Sequence, residues 1–151
     1  MVDEIKQAID KACDLLRRRE HARAELTYKL STRGFSGKAI EAALGWLDRY
    51  DYLSDERYTQ MRIRYRANQG FGPIKICSEL AMWSIPESSI YHQPEWIEQD
   101  WVSSACMLIQ RRFQSHGEGA IDHVRCYRYL QQRGFTHSQI KEAINQVEYE
   151  S

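Results

Sequence analysis

Residues 26–44 recur, without a gap, one hundred positions further along the chain. Leu30 matches Leu130, Arg33-Gly34-Phe35 matches Arg133-Gly134-Phe135, Ser36 matches Thr136, Ile40 matches Ile140, and Ala43-Leu44 matches Ala143-Ile144. Any two amphipathic helices share an apolar rhythm, but rhythm alone does not produce the same Arg-Gly-Phe block followed by a hydroxyl residue. A fainter copy lies half-way, where Leu26, Leu30, Phe35 and Ile40 become Ile76, Leu80, Ile85 and Ile90. Internal repetition of this kind implies a row of similar units that stack on their neighbours, not one central core.

Each copy spells two helices and a tight corner. Leu26 and Leu30 share one helical face, Gly34 is suited to the left-handed conformation that ends a helix, and Phe35 tucks under the turn. Ser36 is a good N-cap for the next helix, and Thr136 with Gln139 makes a capping box in the last copy. A further amphipathic helix precedes each block, carried by Ile5, Ala8, Ile9, Ala12, Leu15 and Leu16 in the first. Tyr58, Met61 and Tyr65 carry it in the second, and Val102, Ala105, Cys106, Ile109 and Phe113 in the third. The expected fold is all-α: three tandem three-helix repeats over residues 1–52, 53–94 and 95–151, forming an elongated, curved array. The link Gln114–Ala120, with Gly117 and Gly119, is longer than its counterpart Arg19–His21 in the first unit and is the expected mobile segment.

Composition excludes several classes of function. A charged fraction of 28% and a mean hydropathy of −0.65 do not suit a membrane protein. The acidic, periodic start does not resemble a secretory signal, so a cytoplasmic protein is expected. Cys13, Cys77, Cys106 and Cys126 form no Cys-x-x-Cys pair and read as reduced, buried thiols on apolar helix faces. Lys and Arg (21) balance Asp and Glu (21), unlike a general nucleic-acid binder.

Candidate chemistry is weak. His123 and Cys126 share a helix face, but no second pair completes a metal site, and the remaining histidines are scattered. Asp55-Glu56 read as first-turn carboxylates meeting a helix dipole behind Ser54. Gln69-Gly70-Phe71-Gly72-Pro73 lacks the Lys-Ser/Thr of a phosphate loop and reads as a corner with Pro73 opening a helix. No catalytic residue, cofactor or metal is expected, and the chain is read as a monomeric non-enzyme that grips another macromolecule.

Basic residues carry the remaining signal. At 100° per residue, Arg62 and Arg66 flank one side of a stripe formed by Tyr58, Met61 and Tyr65, and Arg57 and Arg64 flank the other. Few acids follow Glu56 nearby to neutralise them. Arg57, Arg62, Arg64, Arg66 and Lys75, with Arg125 and Arg128 in the last unit, are therefore the expected partner-facing residues.

Several blocks in sequence resemble the RecX family. Arg18-Arg19-Glu20-His21-Ala22-Arg23-Ala24-Glu25-Leu26 with Lys29-Leu30 and Gly34-Phe35 is similar to its opening signature. Tyr52-Leu53-Ser54-Asp55-Glu56-Arg57-Tyr58 resembles its second block, and Gly70-Phe71-Gly72-Pro73 with Ile76 and Glu79-Leu80 its third. The resemblance implies a bacterial, cytoplasmic regulator that binds RecA filaments on DNA, with weak DNA contact allowed, and limits their extension, ATPase, strand exchange and coprotease functions. A direct DNA-binding helical module is the alternative. Two departures stand out: Ala22 replaces the usual Ser cap, which forfeits about 1 kcal/mol, and Trp83-Ser84 replaces the usual corner of the second unit.

Overall fold

The computed structural model describes residues 2–114 and 120–150, and all its regular structure is helical. Among the described residues nine α-helices follow one another: α1 Val2–Arg18, α2 Arg23–Thr32, α3 Gly37–Arg49, α4 Asp55–Asn68, α5 Pro73–Met82, α6 Pro94–Ile97, α7 Trp101–Phe113, α8 His123–Gln132 and α9 His137–Glu150. A 3-10 turn, Glu87–Ser89, precedes α6. Most of the link expected to be mobile, residues 115–119, lies outside the described residues.

The repeat is written into the hydrogen bonds. Phe35, Ile85 and Phe135 each donate a backbone N–H to the carbonyl five residues back, Leu30, Leu80 and Leu130, at 3.3, 3.1 and 3.2 Å. Gly34 and Gly134 sit in the left-handed region, at φ 89° and 95°. These corners close the ends of α2, α5 and α8 by meeting carbonyls that the helix itself leaves unpaired. The second copy does this with Ser84 at φ 63°, where a Cβ is strained. Ser84→Gly is therefore expected to raise stability by about 1 kcal/mol, read as a higher urea midpoint at unchanged slope; no gain would mean the serine corner is unstrained.

Burial follows the same register. Leu26, Ile76 and Cys126 are fully buried, as are Leu30, Leu80 and Leu130, and Ile40, Ile90 and Ile140 lie in the interior. The third helix of the second repeat is broken. Where α3 runs thirteen residues, the equivalent stretch holds only the 3-10 turn and the four residues of α6. Pro94 explains this: inside a continuous helix it would give no N–H and its ring would crowd the carbonyl of Ile90, so it instead opens α6 behind Gln93.

The chain packs as two compact bodies. One is Met1–Met61 with Leu80–Ser89; the other is Arg62–Glu79 with Ile90–Ser151. In the first, Ala12, Leu15, Leu26, Leu30, Ile40, Leu47 and Leu53 form the core. Beside it Ala8 meets Ala39 and Ala43, small residues that let α1 and α3 approach closely. Ser36 caps α3 by accepting from Ala39 N–H at 3.2 Å, and Glu4 in turn takes the Ser36 N–H at 3.0 Å. The loss of a side-chain cap at Ala22 is softened from two directions. Glu25 Oε1 accepts from Ala22 N–H at 3.4 Å, and Asp55 accepts from Arg23 N–H at 2.7 Å.

A buried polar knot fills the α1–α2 loop. His21 is 2% exposed, with Nδ1 3.0 Å from the Arg19 carbonyl and Nε2 3.0 Å from Lys29 Nζ. A carbonyl only accepts and an ammonium only donates, so the ring is neutral with its proton on Nδ1. Glu25 receives Arg19 at 2.5 and 3.0 Å and lies 3.6 Å from Lys29. Burial foremost, helped by the Arg19 and Lys29 charges, lowers the His21 pKa from its ordinary 6.5. The unfolded chain therefore takes up this proton before the folded one does. The contribution of His21 is complete above its unfolded pKa and is lost as pH falls from there through the lower folded pKa. Tm is expected to drop between about pH 7.5 and about pH 5.5, and less so in His21→Gln; parallel curves would assign the drop to other groups.

The second body is built on Ala105, Ile109, Cys126, Leu130, Phe135, Ile140, Ala143 and Val147. Asp100 caps α7 by accepting from Ser103 N–H at 2.9 Å, and Asp122 caps α8. The capping box of α9 is complete: Gln139 N–H reaches Thr136 Oγ1 at 3.2 Å and Thr136 N–H reaches Gln139 Oε1 at 3.0 Å. Two corners join backbone to backbone here. Gly72 N–H donates to Arg133 O at 2.8 Å and Ile74 N–H to Gly134 O at 2.9 Å. The unpaired donors at the start of α5 thus meet the unpaired acceptors at the end of α8, with the two helix dipoles opposed favourably.

Candidate partner-binding surface

The face of α4 differs from the sequence expectation. Tyr65 is 51% exposed and Met61 only half-buried, whereas Thr59, Ile63 and Ala67 are buried alongside Tyr58. Residues 59, 63 and 67 form a buried i, i+4, i+8 stripe. Thr59 enters it because its hydroxyl donates to the Asp55 carbonyl at 2.7 Å. Turning the helix this way carries Arg66 to the margin of the buried stripe and leaves Arg64 outside.

The α4 cations are paired by acids distant in sequence. Arg57 meets Glu20 at 3.0 Å and Asp51 at 3.2 Å. Arg66 grips Glu79 at 2.8 and 2.5 Å, and Arg62 lies 3.8 Å from the same carboxylate. Arg64 reaches Glu95 at 3.2 Å but keeps 57% of its side chain exposed. The shortage of neutralising acids seen along the sequence is therefore filled in space by α5, α6 and the loops.

Arg66 and Lys75 also belong to a stack of cations and rings. The Arg66 guanidinium lies 3.7 Å from the Phe71 ring centre, Arg133 4.6 Å from the same ring, and Lys75 Nζ 5.2 Å from it. Arg133 and Arg112 then share Tyr129, at 5.5 and 4.5 Å. Partly exposed cation–ring contacts of this kind are worth about 0.5–1 kcal/mol each. In the third repeat the Arg of the Arg-Gly-Phe block, Arg133, is thus a structural residue, whereas its counterpart Arg33 is exposed.

Arg125 and Arg128 are different. Both are exposed on α8 and neither forms an ion pair with a described residue. Arg128 lines a groove of about 970 Å³ between α8 and α9, together with Val124, Tyr127, Lys141 and Asn145. Arg125 lies on the opposite flank of the helix, beyond that groove. The sequence reading missed Lys141 and Val124. The spacing of 124, 128 and 131 on α8 and of 138, 141 and 145 on α9 is the signal that places them on facing walls.

The remaining candidates are occupied or covered. His123 Nε2 is 2.8 Å from Glu148, and the His137 ring meets Tyr127 Oη at 2.8 Å. Cys126 is fully buried and its thiol is pushed up to about 11, by burial first and then by Asp122 and Glu148. Cys13, Cys77 and Cys106 are only half-buried, so the expectation of interior thiols holds fully for Cys126 alone. Among the described residues no group of three or more metal-ligating side chains is present, and no helix is long and apolar enough to cross a membrane. A second pocket, of about 650 Å³, lies beside Trp46 and Tyr52, with Arg57 and its carboxylate partners in its wall.

Comparisons with known proteins agree along the chain. Models of the first, second and third RecX three-helix domains match residues 8–47, 54–90 and 98–144. Regulatory protein RecX of Stenotrophomonas maltophilia strain K279a is 35% identical over 136 residues, covering 89% of this chain and 83% of that protein. That of Pseudomonas entomophila strain L48 is 38% identical over 126 residues, covering 83% and 81%. That of Legionella pneumophila is 33% identical over 145 residues, covering 93% and 95%. The fold is similar to the crystal structure of RecX from Lactobacillus salivarius, with TM-score 0.79 over 99% of both chains at 19% identity. A second RecX crystal structure gives TM-score 0.71 over 95% of this chain and 73% of that one, at 20% identity. With all three domain models in order and relatives matching over most of both lengths, the chain belongs to the RecX family of regulatory proteins.

Proposed function

We propose that this protein binds RecA filaments assembled on DNA and limits their extension, and with it RecA ATPase, strand exchange and coprotease activity, in the cytoplasm during DNA repair and recombination. The observation that carries this reading is membership of the RecX family along nearly the whole chain. The chemistry of the surface supports binding over catalysis. His21 is locked in a buried knot, His123 is held by Glu148, and Cys126 is covered, so the groups best suited to acid–base or nucleophilic work are committed elsewhere.

Within the seven basic residues, a division of labour follows from their pairing. Arg64, Arg125 and Arg128 project into solvent, which supports them as the residues that would meet the filament. Arg57, Arg62, Arg66 and Lys75 hold the fold beneath it. Repeated weak contacts along a polymer add when one molecule engages several subunits at once.

The test adds substoichiometric protein to RecA preassembled on single-stranded DNA and follows ATPase decay. Loss of activity at ratios far below one per RecA is expected. Undiminished ATPase at equimolar protein would overturn the reading. Tight, steeply salt-dependent binding to bare DNA without RecA would replace it with direct DNA binding.

A further inference from the structure

We propose that the cation–ring cluster of the second body binds a short phosphate chain, inorganic triphosphate or the triphosphate tail of a nucleotide, through Lys75, Arg112 and Arg133. Its test needs no RecA, so it stands or falls apart from the reading above.

The cluster holds more positive charge than the fold neutralises. Arg66, Lys75 and Arg133 share the Phe71 ring, and Arg133 and Arg112 share Tyr129. Arg62 joins them through the Glu79 carboxylate that Arg66 holds. Among the described residues, Glu79 is the one carboxylate paired with any of these five cations. Ring faces attract cations but carry no net charge, so most of the mutual repulsion remains. The body as a whole has ten Lys and Arg against nine Asp and Glu, and five of the ten but only one of the nine belong to the cluster. Positive charge is thus gathered at one place in a body that is otherwise net acidic.

The internal repeat shows that this surplus is particular to the second body. In the first, the position matching Lys75 is Glu25, which neutralises Arg19 and Lys29. The residue matching Arg133 is Arg33, whose side chain bonds the Lys29 carbonyl at 3.0 Å. A carboxylate in one copy is therefore an ammonium in the next, and the knot that is balanced in the first body has no balanced equivalent here.

Free donors define the ligand. Arg66 is committed, with its guanidinium on Glu79 and Gln69 and only 15% of its side chain exposed. Lys75 and Arg112 have no hydrogen-bond partner among the described residues, and Arg112 is exposed. Arg133 turns Nε and Nη2 to the Tyr129 hydroxyl at 3.3 and 3.2 Å and Nη1 to the Gln69 carbonyl at 3.4 Å, which leaves one hydrogen on each Nη. Guanidiniums take phosphate oxygens in pairs, and an ammonium adds a point charge beside them. The rings are already occupied by cations, so a nucleobase would find no bare face to stack on. A nucleic-acid strand repeats its charge at every nucleotide and would run from the cluster onto net acidic surface. An acidic peptide must order one side chain for each charge it brings. A short phosphate chain brings several charges in one compact group.

The experiment titrates the full chain with inorganic triphosphate at constant ionic strength, with ATP, potassium sulfate and oligo-dT as comparators. One-to-one saturable binding by calorimetry is expected, with a Tm that rises with ligand concentration. ATP is expected to bind within about threefold of triphosphate, because the shared phosphate tail is what the cluster reads. Arg112→Gln/Lys75→Gln is expected to weaken both ligands by about tenfold or more. Arg125→Gln/Arg128→Gln, which removes two exposed cations of the same body outside the cluster, is expected to leave both unchanged. Circular dichroism checks folding, and Arg112→Gln alone, at an exposed position, repeats the test should the double variant not fold. No saturable binding, an effect matched by sulfate, equal losses in the two double variants, or binding of ATP or oligo-dT without triphosphate would each overturn the proposal.

Discussion

Gly134→Ala is expected to lower stability by about 3 kcal/mol, while the same change at the matching corner, Gly34→Ala, costs about 1. Both glycines have positive φ, 95° and 89°, so both variants carry the strain of a Cβ in the left-handed region. Their surroundings separate them. A Cβ on Gly34 would meet nothing within 4 Å, whereas one on Gly134 would lie 2.6 Å from the Lys75 backbone nitrogen. On the facing corner, a Cβ on Gly72 would lie 2.6 Å from the Gly134 carbonyl. Backbone cannot swing aside as a side chain can, so α5 and α8 would separate and the Gly72–Arg133 and Ile74–Gly134 hydrogen bonds would lengthen. Urea unfolding of the two variants measures the difference directly. Equal losses would mean that the corner-to-corner contact contributes nothing beyond the turn itself.

That contrast marks what the sequence could and could not disclose. Gly34 and Gly134 stand in the same Arg-Gly-Phe block, and the block alone suffices to place a left-handed corner at both. Ser36, Ser54, Thr136 and Gln139 likewise cap the helices that their positions imply, because capping is local chemistry within four residues. The same block cannot say that one corner is open and the other pressed against Lys75, since that depends on a segment sixty residues away. The face of α4 failed for a related reason. Tyr58, Met61 and Tyr65 make as good a stripe as Thr59, Ile63 and Ala67 on a helical wheel, and only the neighbours decide which is covered. The pairing of the α4 arginines was hidden too, since Glu20, Asp51, Glu79 and Glu95 are scattered in sequence and gathered only by folding. Cations are therefore legible one by one, but which of them are free is a property of the fold.

Arg66→Glu should destabilise the protein by about 2–3 kcal/mol, and Arg64→Glu by no more than about 0.5. The two arginines are two residues apart on one helix and carry the same charge, so sequence offers no reason to treat them differently. Arg66 keeps only 15% of its side chain exposed, holds both oxygens of Glu79, and covers the Phe71 ring at 3.7 Å. A glutamate there would set a second carboxylate against Glu79, strand Arg62 between them, and remove the plane that Phe71 packs on. Arg64 keeps 57% of its side chain exposed, so a glutamate there can turn into solvent and its repulsion from Glu95 is screened. Chemical denaturation of both variants tests the contrast, and Arg66→Glu combined with Glu79→Arg should recover part of the loss if the pairing is what matters. An Arg66→Glu protein as stable as the wild type would show that the stack is incidental. The contrast also bears on any test of the proposed RecA inhibition: a loss in Arg64→Glu would report on the proposed contact surface, whereas a loss in Arg66→Glu would report first on the integrity of the fold.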